Sequence, residues 1–156
     1  MTTEFSKKDK NPVEGLEIIV EKTTKITKES FFKILARSED GLTLTIVNVS
    51  HFFNSKYDIG KQGCFIDYSF TKDSKNYEIG IYYNLGKSTP EGEVILNRKM
   101  NIFLILAIVT NLTEADTIKV SENFVNKTLT GIKFKAEIGT AYNGGFLIKP
   151  MKLLED

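Results

Sequence analysis

The chain has 156 residues, enough for one domain with a single core and short for two. Lys and Arg outnumber Asp and Glu by 21 to 20, and the resulting formal charge of +1 excludes a histone-like cationic coat while allowing a local basic face. A lone cysteine, Cys64, excludes an intrachain disulfide and suits a reducing compartment, and one His beside one Cys argues strongly against a structural zinc site, which takes four such ligands.

Residues 1–12, MTTEFSKKDKNP, are polar and lysine-rich. They have no apolar core of the kind a signal peptide needs, and they read as a mobile tail ahead of one domain over 13–156. "GLEIIVEKT" (15–23) sets Leu16, Ile18 and Val20 against Glu17, Ile19 and Glu21, the alternation of a half-buried strand. "SFFKILARS" (30–38) reads as a second strand, with Phe32, Ile34 and Ala36 on one face and Phe31, Lys33, Leu35 and Arg37 on the other. After the turn signal "EDG" comes "LTLTIVNV" (42–49), rich in β-branched residues and predicted to be a third strand. "DIGKQG" (58–63) is a loop. "CFIDYSF" (64–70) and "NYEIGIYYN" (76–84) are strands joined by the polar "TKDSK" into a hairpin.

"GKSTPEGE" (86–93) is a linker. The longest apolar run, Ile102 to Val109, falls far short of the roughly 20 residues that cross a bilayer. Its Asn97 to Met100 lead-in and its freedom from Gly and Pro predict a buried helix over a buried strand. "TEADTIKVSEN" (113–123) reads as a loop or short helix. "TGIKFKAEIG" and "GGFLIKPMK", turning at "TAYNGG" (140–145), close the chain as two strands. The expected fold class is therefore mainly β: an antiparallel barrel like the oligonucleotide/oligosaccharide-binding (OB) barrel, with one apolar helix before the last two strands.

No set of residues points to catalysis. The one histidine, His51 in "NVSHFFN", would have to serve as the only base of any nucleophilic device, and it reads as a structural or surface residue. "NLGKSTPEG" contains the Gly-Lys-Ser that ends a phosphate-binding loop. The first glycine of that signature would fall at Ile81, and Pro90 and Gly92 interrupt any following helix, so the stretch reads as a surface turn. The carboxylates are scattered and make no acid/base pair. Cys64 shares a strand face with Ile66, Tyr68 and Phe70 and is expected to be a small buried group. Neither an enzyme nor a metal or cofactor is expected.

The remaining signal lies on the outer strand faces. Phe31, Lys33, Arg37, Phe65, Tyr82, Lys133 and Lys135 are each expected there, opposite core residues such as Phe134 and Ala136. From Phe124 to Lys152 the chain carries five lysines against one acid, Glu137. Rings beside a cationic groove suit a single-stranded nucleic acid, because every base has a face to stack and every phosphate a charge to meet. The same lysines would also serve simply to keep exposed strands soluble and to blunt sheet edges.

"EGLEIIVEKT", the hairpin "GCFIDYSFTKDSKNYEIGIYYNL", the apolar segment, "NKTLTGIKFKAEIG" and "GGFLIKPMK" follow one another over about residues 13–152. In that order they resemble a family of small phage-encoded OB-fold proteins that bind single-stranded DNA. "TGIKFKAEI" is the most specific part, with Gly-Ile-Lys standing where the family has Gly-Lys. The resemblance implies single-stranded DNA as the partner, a role in replication or recombination in the host cytoplasm, and no membrane. Other replication or recombination proteins and a second copy of the chain are candidate partners. A protein-interaction module that inhibits a host enzyme, using the same rings and lysines as hot spots, is the competing expectation; a virion subunit is a third.

Overall fold

The computed structural model describes Gly15 and residues 22–56, 59–112, 117–141 and 144–154. In chain order the elements are β1 (Thr23–Lys25), α1 (Lys28–Arg37), β2 (Leu42–Val49), β3 (Phe53–Asn54), β4 (Lys61–Lys72) and β5 (Lys75–Lys87). They continue with β6 (Glu93–Asn97), α2 (Asn101–Thr110), β7 (Thr117–Ser121), α3 (Glu122–Leu129), β8 (Lys133–Thr140) and β9 (Phe146–Leu154). The expected tail over 1–12 and most of the expected first strand, residues 16–21, lie outside the described residues.

The protein is mainly β. Its principal sheet runs β1-β5-β4-β2-β8-β9, with β3 added beside β4, and β6 and β7 form a separate ribbon. β1 lies parallel to β5, and the other pairs are antiparallel. Among the described residues no ladder joins β9 back to β1 or β5, so the sheet is an open path and not a closed barrel.

Alternation decides which side faces the core. In β2, Leu42, Leu44 and Ile46 point inward while Thr43 and Thr45 point out, and a bulge at Val47 returns Val49 to the core. β4 and β5 meet in a long hairpin that turns on Asp73 and Ser74, both at positive φ (51° and 64°). That double left-handed turn matches the natural twist of the strands, and short polar residues tolerate it best. The inner face sets Cys64 against Tyr83, Ile66 against Ile81 and Tyr68 against Ile79, all buried. Each large apolar side chain so buried contributes about 1.5–3 kcal/mol.

Helices cover this inner face and the open side of the sheet. α2 is apolar all round, as the Ile102 to Val109 run predicts; it buries Ile102, Phe103, Ile105 and Leu106 and packs on β9 and β5. Asn111, in the left-handed conformation, ends it. The Asn97 to Met100 lead-in is not helical: Asn97 ends β6, and Met100 is the residue just before the first helical turn.

The largest departure from expectation is "SFFKILARS", which is the helix α1 and not a strand. Thr27 caps it by accepting from the Ser30 N–H at 3.1 Å, Glu29 sits in the first turn and Arg37 in the last, and each favours a helix there. Phe31, Phe32 and Leu35 then fall on one side and are buried, which a strand would have split between two faces. α1 packs against both β5 and β8, with Phe31 centred 5.6 Å from Phe70 and Phe32 5.9 Å from Phe146.

The stretch expected as a loop or short helix at 113–123 is instead β7 from Thr117, and a further helix, α3, follows it; residues 113–116 lie outside the described residues. Ser121 caps α3 by accepting from the Phe124 N–H. The described residues thus hold three helices where one was expected. The Gly-Lys-Ser stretch is not the turn it was expected to be: Gly86 and Lys87 end β5 and Ser88 bridges to Val94, and the turn to β6 comes after them, with the Gly92 N–H donating to the Thr89 carbonyl at 3.0 Å. Gly86 is there for packing: a Cβ on it would stand 2.1 Å from the Ile95 carbonyl oxygen. No helix among the described residues is long and apolar enough to cross a membrane.

Candidate nucleic-acid interface

Because Cys64, Ile66, Ile81 and Tyr83 face inward, Phe65 and Tyr82 must face outward, and they are direct cross-strand partners on β4 and β5. Phe65 is 43% exposed and Tyr82 half-buried. β3 pairs with Gly63 and Gln62 and brings a third ring, Phe53, onto the pair. Phe53 and Phe65 are stacked, with centroids 5.8 Å apart and planes at 21°, and Tyr82 meets Phe65 edge-on at 5.5 Å.

Small residues make room for the rings. A Cβ on Gly63 would lie 2.5 Å from the Tyr82 hydroxyl, so Tyr82 can lie flat only over a glycine. Gly80, opposite Asp67, leaves the floor beside Phe65 open. The Tyr82 hydroxyl is within hydrogen-bond distance of Ser55 Oγ (2.9 Å) and Asn84 Oδ1 (3.0 Å), which fixes the ring. The segment carrying Phe53 is held from both sides. The Phe65 N–H donates to Ser50 Oγ at 2.8 Å, and the Glu122 carboxylate in the first turn of α3 accepts from the Phe52 N–H. His51 Nδ1 stands 3.6 Å from that same carboxylate.

Cations surround the cluster. A recess of about 450 Å3 is lined by Phe53, Phe65, Gly80 and Tyr82 with Lys28 and Lys56. On the other side of Tyr82, a recess of about 400 Å3 brings in Lys61, Asn84, Lys99, Asn101 and Ala141. Rings and ammonium groups so arranged can stack flat aromatic ligands and attract anions.

Of the residues expected from sequence, the fold brings Phe65 and Tyr82 into contact. Phe31 is fully buried in the core, so the expectation of an exposed ring there is wrong; it followed from reading α1 as a strand. Lys33 and Arg37 are exposed, but on a helix. Lys133 and Lys135 do lie on the outer sheet face, across from Thr45 and Thr43. Thr45 pairs with Ser69, four residues along β4 from Phe65, which puts that row ~13 Å from the rings. Lys133 lines a separate recess of about 480 Å3 with Thr45, Ser69 and Glu78.

Phe53, Lys28, Lys56, Lys61 and Lys99 were not expected. A two-residue strand is too short to show a period, so only the doubled Phe in "NVSHFFN" could have flagged Phe53. Lys28 could have been found from its place just after the Thr27 cap. Cys64 is no nucleophile: burial pushes its thiol up to about 12. Among the described residues no group of three or more His, Cys, Asp or Glu could hold a metal ion. Compared with protein-family models and with curated protein sequences, the chain matches none.

Proposed function

We propose that the chain binds single-stranded DNA without strong sequence preference, on an OB-like scaffold, as a non-catalytic protein of phage DNA replication or recombination. The observation that carries this reading is the outward-facing cluster of exposed Phe65 with half-buried Phe53 and Tyr82, ringed by Lys28, Lys56, Lys61 and Lys99. Rings stack any base, each worth about 1–3 kcal/mol, and lysines follow the phosphates. Duplex DNA hides its base faces and can use only the lysines.

The strand path supports the scaffold. Taking β2 as the first OB strand, β4 and β5 are the second and third and β8 and β9 the fourth and fifth, with α2 and α3 between third and fourth. The path β5-β4-β2-β8-β9 is then the OB order, opened between third and fifth strands. α1 and α2 pack into that seam, each touching β5 on one side and β8 or β9 on the other. OB barrels bind oligonucleotides on the face of strands two and three and on the loops after strands one and four. Here that face carries Phe65 and Tyr82, the first loop carries Phe53 and Lys56, and Ala141 of the second lines the Tyr82 recess. Lys33, Arg37, Lys133 and Lys135 lie farther out and add long-range attraction.

The test is fluorescence anisotropy with a labelled oligo-dT of ~30 nucleotides, longer than one OB site needs. Micromolar or tighter binding that weakens steeply with salt, and for which duplex competes poorly, is the expected result. No binding at low salt overturns the proposal.

A further inference from the structure

A second groove, of different chemistry, lies on the exposed side of α1. It has a volume of about 380 Å3, with Phe32 and Ala36 of α1 on one wall and Ile138 and Phe146 of the β8–β9 hairpin on the other. Almost all of its surface is carbon. Phe146 is 61% exposed although the next two residues, Leu147 and Ile148, are buried. Its ring rests 5.9 Å from that of Phe32, so the groove is built on side chains the core holds in place. An exposed apolar surface with a polar rim is a feature of interaction sites.

The rim gives the partner's charge. Lys28 and Lys33 border the groove with Glu29, and Arg37 extends the same helix, so α1 presents three cations against one acid. A ligand suited to it has an apolar centre and anionic flanks. A nucleobase fits poorly, because its polar edges would find no donor or acceptor among Phe32, Ala36, Ile138 and Phe146 and would lose their water. An aliphatic or aromatic side chain has nothing to lose there. The volume is at the small end for ligand pockets, sized for a short segment and not a domain.

We propose that this groove docks a short segment of a partner protein in which one or two large apolar side chains are flanked by Asp or Glu. The apolar side chains lie against Phe146 and Phe32, and the carboxylates meet Lys33 and Lys28. The groove shares Lys28 with the recess beside the rings, but its apolar walls, Phe32, Ala36, Ile138 and Phe146, belong to neither ring recess, and its existence does not depend on DNA binding.

The test titrates a fluorescein-labelled heptapeptide, Asp-Asp-Leu-Asp-Phe-Asp-Asp, into the full chain. One control peptide carries Lys for every Asp and another carries Ser for Leu and Phe. Saturable binding of the first peptide, weakened about tenfold or more in each control, is expected. Phe146→Ser, Ala36→Glu and Lys33→Glu should each weaken it about fivefold or more, on the scale of an anchor contact. Ala36 and Phe146 are exposed, so Ala36→Glu and Phe146→Ser should keep the thermal melt and the oligo-dT affinity of the parent. Absence of saturable binding, equal binding of the Ser control, or indifference to both groove variants overturns the proposal. Loss of oligo-dT affinity in Phe146→Ser, with no peptide bound, assigns the groove to the DNA path instead and overturns it equally.

Discussion

Three ionisable side chains face one another inside the core. The Tyr68 and Tyr83 hydroxyls lie 2.7 Å apart, and Cys64 pairs across the strands with Tyr83. Burial raises all three: the Cys64 thiol from its ordinary 9.0 to about 12, and both phenols above their usual value, Tyr68 further by the charge of Tyr83. Each native group holds its proton more tightly than the unfolded chain does. Their contribution to stability is therefore whole below pH 9 and is lost as pH climbs from 9 towards 12. The free energy of urea unfolding should be level near neutrality and then fall above pH 9, by about 1.4 kcal/mol per pH unit for each group titrating. Cys64→Ala should flatten the first part of that fall, between pH 9 and 10, where the unfolded tyrosines are still protonated. An unchanged slope in that variant would contradict the assignment. The other decisive single residue is Phe65. It is 43% exposed, so the proposed function gives it a larger part in stacking a base than in holding the core. Phe65→Ala should weaken oligo-dT binding by about 5- to 150-fold, the cost of removing one stacking ring, while the thermal melt barely moves.

The strands show which elements a sequence reveals. "CFIDYSF" and "NYEIGIYYN" were legible because their inner and outer positions alternate without error, and this alone placed Phe65 and Tyr82 outward; "LTLTIVNV" was legible from its β-branched residues, although its alternation breaks at the Val47 bulge. α1 was not, because Phe31 and Phe32 are adjacent: a two-fold reading puts one on each face, whereas the helix packs both inward. The Thr27 cap, with Glu29 and Arg37 at the two ends, was the signal that decided the structure. β3 owes its place to pairing with the start of β4 and to the Glu122 anchor, and the second of these is made by a residue distant in sequence. The cations follow the same division. Lysines on long strands were legible and prove remote from the rings, while those beside the rings come from a helix start, short loops and the first residue of β4. Lys28→Glu with Lys56→Glu should therefore reduce oligo-dT affinity more than Lys133→Glu with Lys135→Glu. The row of Lys133 lies ~13 Å from Phe65, beyond the Debye length of about 10 Å at 0.1 M salt. The first pair should also lower the salt slope by about 0.7 for each phosphate no longer neutralised. Equal losses of affinity in the two pairs would move the phosphate path onto β8.

At the scale of the whole molecule, the mainly β class and the late apolar helix were readable from the order of patterns, but the closure of the sheet was not. Closure depends on what fills the seam between β5 and β9. α1 is one of the two helices packed there, and its sequence had suggested a strand. A net charge of +1 likewise says nothing of where the charges gather. The open sheet presents one outer face whose two ends differ, stacked rings at one and Lys133, Lys135 and Lys152 at the other, with Asp67 in the row between and Glu78 in the same row as Lys133. On this face Asp67 repels phosphate from the row beyond the rings and Glu78 offsets part of the charge in the Lys133 row, so a bound strand should cross β4 and β5 at the rings and not run the length of the face. The most direct measurement is photocrosslinking of the full chain to an oligo-dT carrying 5-iododeoxyuridine, with the joined residues found by mass spectrometry. Crosslinks at Phe53, Phe65 and Tyr82 are the expected result. Crosslinks confined to β8 and β9, or none from an oligonucleotide that demonstrably binds, would contradict the placement of the site.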